Sequence, residues 1–302
     1  MMLGLLLAGA WSPHAVAALP GDALQARYVA LKSQLENNAF HRPLYLESNE
    51  TAEELKGDLY AVMEEPFATV RQNLQALDHW CDILILHLNV KSCRAVNNTG
   101  APTLLLTIGK KHDEPKENAF PVAFAYRVAA SYPSYLRIRL HADTGPFGTS
   151  NYQIAFDAVP LESGRTFIHL AYSYDYGLAA RLAMKGYLTT VGSGKVGFSL
   201  AEARPGSATA LIGGVRGVVE RNTMRYYLAI EAYLGALAAP PAEQLDLRLH
   251  RWFAATEQYH RQLHEIEETE YLEMKHKEVL QQQTGKPHAS SDPAKADIKP
   301  DK

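Results

Sequence analysis

The apolar positions of this chain change period twice. Over residues 22–38, Leu24, Tyr28, Leu31 and Leu35 recur at three- and four-residue steps, which predicts a surface helix packing one stripe. Residues 40–48 contain Arg42-Pro43 and predict an extended connector. Residues 55–63 read as a strand, and Glu65-Pro66-Phe67 opens a helix whose first turn the proline presets, running through Val70 and Leu74 toward His79-Trp80. Strands are then predicted at 83–90, 103–109, 121–130, 135–142, 152–159 and 166–174, most of them separated by turn clusters such as Glu162-Ser163-Gly164. Several alternate cleanly: Leu136, Ile138 and Leu140 face away from Arg137, Arg139 and His141, and Tyr152, Ile154 and Phe156 away from Gln153 and Asp157. One covered and one wetter face is the mark of an antiparallel sheet. A helical segment at 177–193 interrupts the run, and 195–198 resumes it.

Beyond the strands the period returns to that of a helix. Residues 215–237 carry Val219, Tyr226, Tyr227, Ile230, Tyr233, Leu234 and Leu237 on a broad apolar face that ends before Pro240-Pro241. A second long helix is expected over 242–283, with an apolar stripe from Leu245 to Ile266 and a later Glu/Lys/Gln-rich part projecting into solvent. Residues 284–302 have too little apolar surface to offset ordering entropy and read as a disordered tail.

The amino terminus bears on location. Residues 2–11 are uncharged and apolar and lead to Ala15-Val16-Ala17, a small-x-small cleavage pattern, although no Lys or Arg precedes them. Residues 1–17 therefore read as a secretory signal peptide, and 18–54 as an N-terminal helix and connector. An exported protein is expected, periplasmic if the source is bacterial, with no transmembrane span in the mature chain because no later apolar run reaches about 18 residues. Export favours joining Cys81 and Cys93, the only two cysteines. Closing so short a loop is worth about 3 kcal/mol in the chain-entropy model. Two inert thiols, or a metal site with His79 and His87, are the alternatives.

Composition narrows the chemistry by exclusion. The 302 residues are 47% apolar and 21% charged, with 30 Lys and Arg against 33 Asp and Glu. This weakly acidic balance predicts no grip on nucleic acid. Gly192-Ser193-Gly194-Lys195 fails the phosphate-loop frame, with Thr189 at the first glycine position and Val196 at the hydroxyl position. No H-E-x-x-H, G-x-S-x-G or C-x-x-C motif occurs, so no metal or cofactor is called and an enzyme is the less favoured class. His169, between Phe167 and Ala171, needs a partner if buried, for which Asp58, Asp82, Asp157 and Asp175 are candidates. The informative residues are tyrosines, whose rings and polar tips suit an apolar cavity with a few hydroxyl donors.

Residues 59–70 (LYAVMEEPFATV), the Leu77-Asp78-His79-Trp80 helix end, Gln153-Ile154-Ala155-Phe156, and 166–174 behind an E-x-G-R-T turn resemble the START-like or helix-grip superfamily of polyketide cyclases, pathogenesis-related proteins and lipid-transfer domains. The resemblance covers roughly residues 55–237 and is one of architecture. It implies an α+β fold in which a curved antiparallel sheet wraps around a long C-terminal helix, here within 55–241, with extra N- and C-terminal helices. It also implies a cavity between sheet and helix, lined by Tyr126, Ile138, Tyr152, Phe156, His169, Tyr172, Tyr226, Tyr227 and Ile230, that holds a hydrophobic lipid-like or sterol-like ligand. No catalytic residues are common to the superfamily. Two other readings compete: a cyclase- or hydrolase-type cavity enzyme with His169 or a neighbouring Asp as base, and an assembly module that meets a protein partner through 242–283, with Trp252, Phe253 and Tyr259 as anchors.

Overall fold

A computed structural model describes residues 21–97, 100–177, 194–201 and 210–284. Helix α1 (Asp22–Glu36) precedes a hairpin of β1 (Leu44–Glu50) and β2 (Glu54–Met63). Two short helices, α2 (Phe67–Leu74) and α3 (Leu77–Leu84), lead to β3 (Val90–Val96), β4 (Thr103–Ile108), β5 (Phe120–Tyr132), β6 (Tyr135–Thr144), β7 (Thr149–Pro160) and β8 (Thr166–Tyr176). Helices α4 (Gly214–Gly235), α5 (Gln244–Glu257), α6 (His260–Leu263) and α7 (Glu268–Thr284) complete the described chain.

The eight strands form one antiparallel sheet in the order β1-β2-β8-β7-β6-β5-β4-β3. Strand β2 pairs with β8, so the run that leaves β2 through α2 and α3 comes back to it at the end. Helix α4 then crosses the inner face against β2, β1 and β8. A sheet that grips the long helix following its last strand is the helix-grip architecture. Helix α1 covers part of the opposite face, where Leu24, Leu31 and Leu35 pack with Val62, Tyr135, Val159 and Phe167.

Four sequence expectations are corrected. The extended connector at 40–48 includes the start of a paired edge strand, because Leu44 and Leu46 alternate into the core once Pro43 has set the chain extended. The strand expected at 83–90 is the end of α3 and a turn. Ile83 to Leu86 are buried in succession, and so short an apolar run carries no period of its own. Residues 195–198 do not rejoin the sheet; Gly197 and Ser199 bond to Ile212 in a small ladder of their own. The helix expected over 242–283 is three helices, broken where Leu263 turns inward to 2% exposure. Its polar last part does not project into solvent: Tyr271, Met274, Lys275, Glu278 and Val279 are buried. The helical segment called at 177–193 lies, apart from Gly177, outside the described residues, as do the signal peptide and all but the first residue of the tail.

The cysteine expectation holds, since Cys81 and Cys93 form a disulfide with a Cα–Cα distance of 5.2 Å. It ties the buried face of α3 to β3 rather than spanning a strand. Among the described residues no helix is long and apolar enough to cross a membrane.

Helix α4 approaches the sheet closely at Gly57 of β2. A Cβ there would collide with Thr223 Oγ1 and stand 3.2 Å from Thr223 Cβ and 3.5 Å from the Val219 carbonyl. Gly57→Ala is therefore expected to lower stability by about 1–3 kcal/mol through overpacking. Adding Thr223→Ala, which removes the colliding hydroxyl, should recover at least half of that loss in denaturant titrations. Additive effects of the two substitutions would refute the contact.

Candidate functional site

The inner face of the sheet is set by register. Across β6, β7 and β8, Ile138 pairs with Phe156 and Phe156 with Leu170, while Ile154 lies opposite Tyr172, and Tyr172 opposite Gly57 on β2. Period-two alternation places Tyr152, Tyr172 and Tyr174 on this face, and Tyr226 comes down on them from α4. Ring centroids lie 5.1 Å apart for Tyr152–Tyr174, 5.7 Å for Tyr172–Tyr174 and 5.1 Å for Tyr172–Tyr226. The imidazole of His87, in the turn after α3, stacks on Tyr226 at 4.9 Å.

The polar atoms of this array are unevenly satisfied. Tyr152 shares a hydrogen bond of 2.8 Å with Thr149 Oγ1. His87 Nε2 is buried without a hydrogen bond among the described residues, and the Asn222 side chain is the polar neighbour that acts on the ring. Burial is the main reason that the phenols of Tyr172, Tyr174 and Tyr226 are held above their ordinary pKa, with the neighbouring tyrosine hydroxyls adding to it. They remain neutral donors at any physiological pH.

His87 is tuned in the opposite sense. Its Nδ1 accepts from the Asn89 backbone N–H at 3.1 Å. Burial first, then the charges of Arg225, Lys275 and Lys111, keep its pKa well below the usual histidine value. The turn that carries it is pinned by α7, where Lys275 Nζ donates to the carbonyls of His87 at 2.8 Å and Val90 at 2.9 Å, and Tyr271 donates to the Leu86 carbonyl at 3.0 Å. Burial pushes the Lys275 pKa down to about 8, opposed by its ion pair with Glu278.

Of the nine residues expected to line one cavity, the structure gathers six on the inner side of the sheet and under α4: Ile138, Tyr152, Phe156, Tyr172, Tyr226 and Ile230. Tyr126 is also buried on that side, but it donates to the Leu74 carbonyl at 3.1 Å and packs near Trp80, so it fastens α2 to the sheet. Tyr227 points to another flank of α4, where its hydroxyl donates to Glu231 at 2.6 Å and accepts from Arg42 at 3.2 Å. His169 is on the outer face, opposite Asp157 in register. The array includes two residues outside that expected set, Tyr174 and His87. Tyr174 is two positions beyond Tyr172 and was available from alternation; His87 was hidden by reading its turn as strand.

His169 occupies a complete polar cluster of its own. Its Nε2 lies 2.7 Å from Asp58, its ring stacks on Tyr60 at 4.4 Å, and Asp157 is 3.9 Å from Nδ1. Asp157 accepts from Tyr135 at 2.5 Å, Arg137 at 2.7 Å and Arg139 at 3.1 Å. Burial would raise the Asp157 carboxyl; the bonds from Arg137 and Tyr135 and the charge of Arg139 outweigh it and hold the pKa below the carboxylate range. Asp58 is likewise lowered, its burial outweighed by His169 and Lys56. Each group of this cluster has its partner, which leaves the base role without a free acceptor.

Between sheet and α4 the rings of Tyr152, Tyr172, Tyr174 and Tyr226 are in contact with one another. A hollow of about 380 Å³ is lined by Asp113, Glu114, Pro115, Glu117, Lys277 and Gln281, and one of about 10 Å³ lies beside Trp252 and Leu263. Neither touches the tyrosine array. Lys195, the last residue of the near-match to a phosphate loop, donates to the His264 carbonyl and sits 3.9 Å from Glu265.

No protein-family model matches the chain, and no curated protein matches it. Solved structures do. Ara h 8.0201 matches with a TM-score of 0.34 at 11% identity over 64% of this chain and 99% of its own. Truncated norcoclaurine synthase from Thalictrum flavum matches with 0.34 at 12% over 48% and 90%. Human StAR-related lipid transfer protein 5 matches with 0.30 at 9% over 55% and 88%. The helix-grip assignment rests on the strand order and the placement of α4 in this chain.

A neutral buried histidine must gain a proton when the chain unfolds in acid. Because the His87 pKa is depressed in the folded state, its contribution to stability is present above about pH 6.5 and is lost as pH falls below it, by up to about 1.4 kcal/mol per unit. Urea titrations between pH 7.5 and 5 should show a shallower acid slope for His87→Gln than for the parent. Equal slopes would mean that His87 takes up its proton while folded.

Proposed function

We propose that this is an exported binding protein that takes an amphipathic, mainly apolar molecule, lipid-like or sterol-like, between the sheet and α4. One observation carries the reading: the rings of Tyr152, Tyr172, Tyr174 and Tyr226 gather between the sheet and α4 beside His87, whose buried Nε2 has no hydrogen bond within reach among the described residues. Buried polar side-chain atoms are mostly satisfied, and leaving one unmade costs about 1–3 kcal/mol. An unsatisfied imidazole nitrogen among phenol rings suits a ligand with a polar group on an apolar body. The aromatic walls supply area and the phenols supply orientation. Since the rings now touch, entry requires Tyr172 and Tyr226 to turn aside. The disulfide supports export, because such bonds persist in oxidising compartments. The satisfied state of the His169 cluster weighs against acid-base catalysis there.

The test is retention of ligand from a lipid extract, read by native mass spectrometry of the chain without residues 1–17. Tyr172→Phe and Tyr226→Phe keep the rings and remove the hydroxyls, so each should weaken binding about 5- to 30-fold, equivalent to about 1–2 kcal/mol, while leaving the melting temperature within about 2 °C. A parent protein that retains nothing, or Phe variants that bind as tightly as the parent, would overturn the proposal.

A further inference from the structure

At the corner between α5 and α7, Glu257 ends α5, His260 opens α6 and His264 follows it. The spacing Glu-x-x-His-x-x-x-His puts all three side chains on one side of a single turn. Their donor atoms lie within 4.8 Å of one another. His264 Nδ1 is 3.1 Å from either carboxylate oxygen of Glu257, and His260 Nε2 is 3.9 Å from Glu257 Oε2. The imidazoles are nearly parallel, 12° apart in plane and 4.2 Å between centroids.

Tetrahedral ligands bound at about 2.1 Å stand roughly 3.4 Å from each other. The three donors bracket that separation, so small side-chain rotations bring them to one point. A second feature points the same way. A metal-bound imidazole commonly turns its other N–H toward a carboxylate, and His264 Nε2 faces Glu267 Oε1 at 3.9 Å. Lys195, which the Glu257 charge reaches, has its ammonium occupied by the His264 carbonyl and by Glu265.

We propose that Glu257, His260 and His264 form a binding site for a borderline divalent transition metal such as Zn²⁺, with the fourth position open to water. Two imidazoles and one carboxylate select Zn²⁺, Ni²⁺ or Cu²⁺ over Mg²⁺ and Ca²⁺. The metal acts as a clasp. The corner it closes carries the Leu263 carbonyl and Glu265, which hold the buried Arg225 of α4 at 3.2 and 2.8 Å. A fixed corner therefore steadies the helix over the tyrosine array, although the site stands or falls independently of any ligand there.

The experiment is calorimetric titration of the metal-free, untagged full chain with ZnCl₂, with MgCl₂ as control. One Zn²⁺ per chain at micromolar affinity is expected, with no Mg²⁺ uptake, and saturating Zn²⁺ should raise the melting temperature by roughly 5 °C. His260→Ala and His264→Ala should each weaken binding at least 10-fold, and Glu257→Gln less. His260 is mostly exposed, so its replacement leaves the fold intact, as circular dichroism will verify. Absence of Zn²⁺ binding, or binding unchanged in the His260→Ala/His264→Ala double variant, would overturn the assignment.

Discussion

The architecture turns on the contact of Thr223 with Gly57. By leaving one position of β2 without a side chain, the sequence lets α4 come down onto the sheet beside Tyr172, which fills the adjoining space on β8. A helix seated that deeply is covered on several sides at once. Its polar positions then have to be satisfied inside the protein, since a buried unpaired charge costs several kcal/mol. Glu220 accepts from Ser48 and from the backbone of Phe198 and Ser199, and Arg225 meets Glu265 and the Leu263 carbonyl. The short ladder at 197–212 and the corner after α5 are thus not appendages. They provide the groups that the buried polar side of α4 requires.

The same demand explains why α7 is folded against the body of the protein. The turn after α3 ends with carbonyls that have no partner in the helix, a common deficit at helix C-termini. Tyr271 and Lys275 reach them from α7, and Glu278 balances Lys275 and also Lys91. This arrangement fixes His87 against Tyr226. The array between sheet and helix is therefore framed by elements far apart in sequence. The disulfide reinforces it from the other side by holding α3 to β3.

How much of this could be read beforehand follows from what period carries. Strands β5 to β8 and the helix at 214–235 were visible because alternation or a long apolar face persists over ten or more residues. The turn at 85–89 was not, because Ile83-Leu84-Ile85-Leu86 is apolar at every position and fits either period. The folding back of α7 was hidden for the converse reason. Lys275 and Glu278 look like solvated charges in sequence and become core residues only when the carbonyls they serve are next to them. Likewise Trp252, expected to anchor a partner, donates to the Arg225 carbonyl inside the chain. Alternation carries one further distinction: His169 is an odd number of positions from Tyr172, so the two do not share a face.

That distinction separates the chemistry of the two faces of β8. On the outer face, charges lie beside opposite charges, and the carboxyl groups of Asp58 and Asp157 are held low, their burial outweighed by these partners. Such a cluster is settled electrostatically and gains nothing from an added ligand. On the inner face, phenols raised by burial remain un-ionised donors among apolar side chains. The buried Nε2 of His87, which lacks a partner among the described residues, gains by meeting one. The fold therefore places its saturated polar groups where α1 and solvent cover them and this unsaturated one against Tyr226 of α4, and this asymmetry makes the inner face the one suited to recognition.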